Sequence, residues 1–264
     1  NTNLTYSTNK NEIKSISNDE FSMSTDWFTT GHTGEPIQTS THRVKVGSPI
    51  GDFYGLKSVG LTTDGKWLVE RFDENGKKFY DYANNATEAD WQILGNGVPT
   101  HYLNFNNTLR YKNWDLTIGM RGAFGFQILN FQEMYYANPT IQYNVLNSAF
   151  DTHPTYEIVD GGYGIKRANK DVNISDSQRY VSEYVEDGDY WKIDNVTLGY
   201  TFNTKTWKYV KNLRLYASCL NLATITGYKG LDPEVRMTGL DAGTDSRDKY
   251  PTNRSFTFGV NVTF

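Results

Sequence analysis

In residues 253–264, Asn253-Arg254-Ser255-Phe256-Thr257-Phe258-Gly259-Val260-Asn261-Val262-Thr263-Phe264, polar and apolar side chains alternate strictly from Ser255 to the last residue. Phe256, Phe258, Val260, Val262 and Phe264 fall on one side. Ser255, Thr257, Gly259, Asn261 and Thr263 fall on the other. A period of two is a β-strand with a single apolar face, and at ~3.4 Å per residue a tilted strand of this length crosses the ~25 Å apolar band of an outer membrane. The closing strand of a β-sandwich would show the same pattern.

Hydropathy separates the membrane possibilities. Only 38% of the 264 residues are hydrophobic, and no run approaches the ~18 apolar residues of a membrane helix. Barrel strands give half their residues to a polar interior and need no such run. Much of the apolar content is aromatic, with 19 Tyr, 14 Phe and 6 Trp. Rings of Tyr and Trp suit a membrane interface because one end is apolar and the other forms hydrogen bonds. Aromatic-rich sandwiches that bind carbohydrate share this excess. A net charge of −4 without a basic run argues against a nucleic-acid partner. Cys219 is the one cysteine, so no disulfide forms within the chain. Position 1 is Asn, and Leu4-Thr5-Tyr6-Ser7 already reads as strand interior, so the chain is expected to be a piece of something longer.

Seven strand-like segments are expected, near 2–14, 42–59, 101–111, 113–126, 188–202, 211–222 and 253–264. Tyr111-Lys112-Asn113 reads as a tight hairpin, and the link around Asn203 to Val210 is short. Other connections are long, an alternation typical of outer-membrane barrels. The link over 15–41 is too long for this scheme. Within 113–126, Trp114, Leu116, Ile118, Met120 and Phe124 share a side, opposite Asp115, Thr117, Gly119, Arg121 and Ala123. Within 188–202, Val196, Leu198, Tyr200 and Phe202 form an apolar face, and simple alternation puts Tyr190, Lys192 and Asp194 on that same side.

Four segments in order carry a family resemblance. They are Val46-Gly47-Ser48-Pro49-Ile50-Gly51-Asp52-Phe53-Tyr54-Gly55, then Asp189-Tyr190-Trp191-Lys192-Ile193-Asp194-Asn195-Val196-Thr197-Leu198-Gly199-Tyr200, then Leu213 to Leu222 running on to Thr226-Gly227-Tyr228-Lys229-Gly230-Leu231-Asp232-Pro233-Glu234-Val235, and Tyr250-Pro251-Thr252-Asn253-Arg254 before the last strand. Together they resemble the C-terminal portion of SusC/RagA-type TonB-dependent outer-membrane transporters.

The resemblance implies an all-β fold: an antiparallel transmembrane β-barrel of 22 strands with long extracellular loops, of which residues 1–264 supply about seven C-terminal strands. Plug domain and N-terminal strands have no counterpart in this sequence. It also implies the cell outer membrane of a Bacteroidetes-type bacterium, a SusD-like surface lipoprotein as partner, TonB coupling through the missing N-terminal part, and an oligosaccharide or peptide as solute. The strand bearing Phe256, Phe258, Val260, Val262 and Phe264 resembles the signal read by the outer-membrane assembly machinery.

Enzymatic and metal chemistry find little footing. His32, His42, His101 and His153 lack ligand spacing. There is no Gly-x-Ser-x-Gly elbow, and nothing in the sequence pairs a base with Cys219. Asp187, Asp189, Asp232 and Glu234 read as loop charges rather than a glycosidase pair. Asp73-Glu74-Asn75-Gly76 offers too few oxygen ligands for calcium and reads as a turn. Gly161-Gly162-Tyr163-Gly164 lacks the strand-to-helix setting of a phosphate cradle and reads as a loop. We expect a non-enzyme without cofactor. On the inward faces Asn104, Arg110, Asp115 and Arg121 are the candidates for solute contact. The competing reading is that Arg110, Asp115 and Arg121 pair with charges on neighbouring strands or on the plug.

Overall fold

The computed structural model describes residues 1–264. Six antiparallel strands form the principal sheet: β1 (Thr2–Thr8), β2 (His101–Tyr111), β3 (Trp114–Phe124), β4 (Tyr190–Thr201), β5 (Asn212–Thr226) and β6 (Ser255–Thr263). Sequence order is sheet order, a simple up-and-down meander. Long connections follow β1, β3 and β5, and short ones follow β2 and β4.

One expected strand is missing from this sheet. The segment 42–59 breaks into His42–Lys45, Asp52–Gly55 and the start of Ser58–Leu61, all inside the first long connection. Gly47 and Gly51 take φ of 83° and 82° between the first two pieces, which turns the chain and prevents one continuous strand. Six strands therefore replace the expected seven. The correction also removes the misfit at 15–41, which belongs to the same long connection. β1 is shorter than expected, ending at Thr8 rather than near 14.

Register aligns the two faces across the sheet. Phe256 stands opposite Cys219, Phe258 opposite Ala217 and Val260 opposite Leu215, while Leu198 stands opposite Leu116. This face is bare: Leu4 is 64% exposed and Phe258 81%. A sandwich would cover it with a second sheet. None of the chain's other sheets does so.

In β4 the alternation slips. Ile193 faces Met120 and Asn195 faces Gly119, leaving Asp194 without a ladder partner on either side. This bulge inserts one residue and reverses the parity beyond it. Lys192 and Tyr190 thereby leave the face of Val196 and join Arg121 and Ala123 on the polar side, while Ile193 and Trp191 take the apolar side. The expectation from simple alternation is corrected accordingly.

The largest apolar core lies outside the principal sheet. Its three long connections fold together into a cap built on three smaller sheets and the short helix Phe131–Tyr136, whose N-terminus Asn130 caps by accepting from the Glu133 N–H at 3.0 Å. Phe53, Leu61, Trp67, Leu129, Met134 and Val181 pack its centre. His42 is fully buried there: its Nε2–H donates to Ala242 O at 2.9 Å and its Nδ1 accepts from the Thr41 hydroxyl at 2.7 Å. Burial lowers its pKa to about 4. A second cluster including Ala123, Tyr190, Ile128 and Tyr228 joins cap to sheet.

Residues 73–76 form the expected turn. Asp73 accepts from the backbone N–H groups of Asn75 and Lys77, both at 2.9 Å, and from Tyr163 Oη at 2.8 Å. Gly161 and Gly162 link the strands His153–Val159 and Gly164–Val172, so that stretch is a hairpin loop.

Candidate functional site

On either side of the bulge at Asp194 the register runs on from strand to strand, and the polar face is ruled into rows running across them. Nearest the short turns, Arg110, Asp115, Gly199, Tyr216 and Gly259 stand side by side. Next come five hydroxyls, Thr108, Thr117, Thr197, Ser218 and Thr257, with Thr197 and Ser218 hydrogen-bonded at 2.8 Å. An amide row follows, with Asn3, Asn106 and Asn195. Closest to the cap stand Thr5, Asn104, Arg121, Lys192 and Thr224.

All four residues singled out from sequence lie on this face. Arg110 is directly opposite Asp115, and Asn104 directly opposite Arg121. Asp115 also receives a bidentate grip from Arg214, Nε to Oδ1 at 3.0 Å and Nη2 to Oδ2 at 2.5 Å. Arg121 bonds Asp194 at 3.3 Å and pairs with Glu234. Asp115 and Arg121 thus make charge pairs within the chain, Asp115 with a strand two places away and Arg121 with the adjacent strand and with Glu234. Asn104 and Arg110 remain exposed on the wall.

Sequence reasoning missed Arg214, Lys192 and Glu234. Lys192 is nearly fully buried and its ammonium pairs with Glu234, which is carried on the last long connection. That connection is held in place locally. Glu234 N–H donates to Asp232 Oδ1 at 3.0 Å, and Lys249 Nζ donates to the carbonyls of Asp232 and Glu234 at 2.8 and 2.9 Å. Burial would raise the Asp232 carboxyl, but hydrogen bonds from Thr252 and from the Glu234 backbone outweigh it and hold the group below its ordinary range. Tyr228 Oη donates to Asp245 at 2.7 Å, and burial pushes both groups upward. A pocket of about 260 Å³ opens beside this cluster, lined by Lys192, Thr224, Thr226, Asp232, Thr252 and Arg254.

Such a wall offers hydroxyl, amide and charged groups in register. It can hold a polar solute through many weak contacts without reacting with it. The opposite face is apolar apart from polar positions such as Thr2 and Asn107, which stand in the row of Ile118 and Val196 and hydrogen-bond to each other.

No protein-family model matches the chain. It is 29% identical to the TonB-dependent receptor P3 of Formosa agariphila over 98% of its own length and 26% of that protein. It is 27% identical to the TonB-dependent receptor SusC of Bacteroides thetaiotaomicron over 86% of its length and 20% of that protein. The chain thus spans about a quarter or less of these relatives. Among solved structures, the RagAB peptide transporter matches all of it with a TM-score of 0.75 at 18% identity, covering 27% of that chain. The resemblance to SusC/RagA-type TonB-dependent receptors read from the sequence holds, and the fold is that of part of the RagA barrel.

Proposed function

We propose that residues 1–264 form the C-terminal strands and outer loops of a 22-stranded barrel in a TonB-dependent importer of the outer membrane of a Bacteroidetes-type bacterium. The solute is an oligosaccharide or a peptide. A SusD-like lipoprotein works with it on the outside, and TonB drives it through a plug domain that this stretch does not include.

One observation carries this reading: a six-stranded sheet with one bare apolar face, one polar face ruled into rows, and two open edges. β1 pairs only with β2, and β6 only with β5. In hydrocarbon each unpaired backbone group costs several kcal/mol, so other strands of the barrel must complete both edges. The cap, which gathers the three long connections, then lies on the outer side where solute arrives. Similarity to receptors of this type supports the same assignment.

Fractionation of cells producing the intact gene product tests it, together with uptake of labelled oligosaccharides and peptides in strains with and without a SusD-like lipoprotein. Recovery in detergent-extracted outer membrane and loss of uptake on deletion are expected. An aqueous product would overturn the reading.

A further inference from the structure

The rim of short turns differs in charge from the rest of the molecule. The chain holds 30 Asp and Glu, yet residues 108–116 and 200–216 contain one acid, Asp115, against Arg110, Lys112, Lys205, Lys208, Lys211 and Arg214. Arg214 neutralises Asp115. The four lysines take part in none of the chain's ion pairs. Backbone bonds draw the two turns and the end of β6 into one line: Thr201 N–H donates to Asn113 O at 2.8 Å, and Lys211 N–H to Thr263 O at 2.7 Å.

Aromatic rings stand among these lysines. Tyr209 is 73% exposed, and Tyr111 and Trp207 are exposed as well. Lys112 Nζ lies 5.3 Å from the centre of the Tyr111 ring, and Lys208 Nζ lies 5.3 Å from that of Tyr209. Further along the strands the apolar face begins with Leu109, Leu198 and Leu215. Aliphatic, then aromatic, then ammonium is the order in which acyl chain, head-group boundary and phosphate are met on leaving a membrane.

We propose that this rim binds anionic glycerophospholipid of the leaflet on the short-turn side. Lys112, Lys205, Lys208 and Lys211 take the head-group phosphates, and Trp207 and Tyr209 seat at the boundary between head groups and acyl chains. Charge complementarity selects the occupant, since an unopposed row of ammonium groups beside an apolar band matches an anionic head group on an acyl chain. The inference rests on the membrane reading above.

The test uses the full-length transporter in nanodiscs of phosphatidylcholine alone and with added phosphatidylglycerol. The readout is phosphatidylglycerol retained on the protein by native mass spectrometry, at low and high salt. Wild type is expected to enrich phosphatidylglycerol over its share of the disc and to lose the enrichment in high salt. The triple variant Lys205→Gln, Lys208→Gln, Lys211→Gln is expected to lose it by at least about five-fold, the effect of one lysine at an anionic surface, whereas Lys→Arg at the same positions retains it. Equal enrichment in the Gln variant overturns the proposal. So does a wild type indifferent to phosphatidylglycerol, or a Gln variant that loses binding to peptidoglycan sacculi while keeping the lipid. Failure to insert into nanodiscs at all would instead overturn the membrane reading.

Discussion

Asp115 and Arg214 sit on β3 and β5, which are not neighbours, and their bidentate pair passes over β4 at Gly199. A Cβ on Gly199 would lie 2.6 Å from Asp115 Oδ1 and closer still to the Arg214 guanidinium. The glycine is therefore a clearance in the wall through which two strands two places apart are tied. Arg214 also lies over Tyr216, 5.2 Å from its ring centre, and Tyr216 in turn fills the space above Gly259.

Gly199→Val is expected to destabilise the assembled barrel by about 1–3 kcal/mol, the range for forcing methyl groups into a filled site. The same change is expected to cost much less when Asp115→Ala and Arg214→Ala are already present. Urea unfolding of the four variants, followed by heat-modifiable migration, checks the cycle. Equal costs in both backgrounds would show that the pair does not depend on the glycine.

Facing gives a second expectation. Arg at Ile193, further from the short turns, is expected to cost roughly 2–4 kcal/mol, and Arg at Leu198 or Val260, where the apolar face begins beside the rim, about 1 kcal/mol, while Arg at Thr257 or Thr117 is tolerated. Ile193 is the informative addition, because simple alternation from Val196 would put it on the polar face and the bulge at Asp194 returns it to the apolar one. Folded yields of the five variants decide between the registers.

The terminal strand was legible because its alternation from Ser255 to Phe264 is uninterrupted and its face depends on no other segment. Much of β3 was legible for the same reason. The polar face of β4 was not, since the parity of Lys192 depends on one unpaired residue, Asp194, and simple alternation carries no mark of a bulge. Partners were harder still: Glu234 reaches Lys192 from a connection 42 residues further on. The segment 42–59 has strand-like residues, yet its turning glycines assign it to the cap. The cap core itself draws Phe53, Trp67, Leu129 and Val181 from distant stretches, so no local period announces it.

Lys192 and Glu234 supply a third expectation. Glu234→Gln leaves the ammonium of Lys192, 1% exposed, without its anionic partner. Removing one member of a buried pair costs about 3–5 kcal/mol, while replacing both members with uncharged residues is often close to neutral. Glu234→Gln is therefore expected to be strongly destabilising and Glu234→Gln with Lys192→Met to recover most of the loss, since Arg121, the other cation on Glu234, is 40% exposed and keeps Asp194. Thermal unfolding of the three forms is the measurement, and a double variant as unstable as the single would refute the pairing.

His42 gives the pH dependence of the cap. Burial, with a smaller contribution from Arg236, lowers its pKa from 6.5 to about 4, against the opposing hydrogen bond to Ala242 O. Between those values the unfolded chain binds a proton that the folded cap refuses, so stability rises with pH across this window and falls as pH drops from 6.5 toward 4. At 1.36 kcal/mol per unit the loss approaches about 3 kcal/mol at the acid end. Asp52, Glu133 and Asp245, whose carboxyls are raised, act with the opposite sign, and the comparison must isolate the imidazole. His42→Gln removes the titrating ring. Urea unfolding followed by tryptophan fluorescence at several pH values from 4 to 7 is expected to show a steeper fall for wild type than for His42→Gln. Parallel curves would mean that the ring takes up its proton as readily in the folded cap as in the unfolded chain.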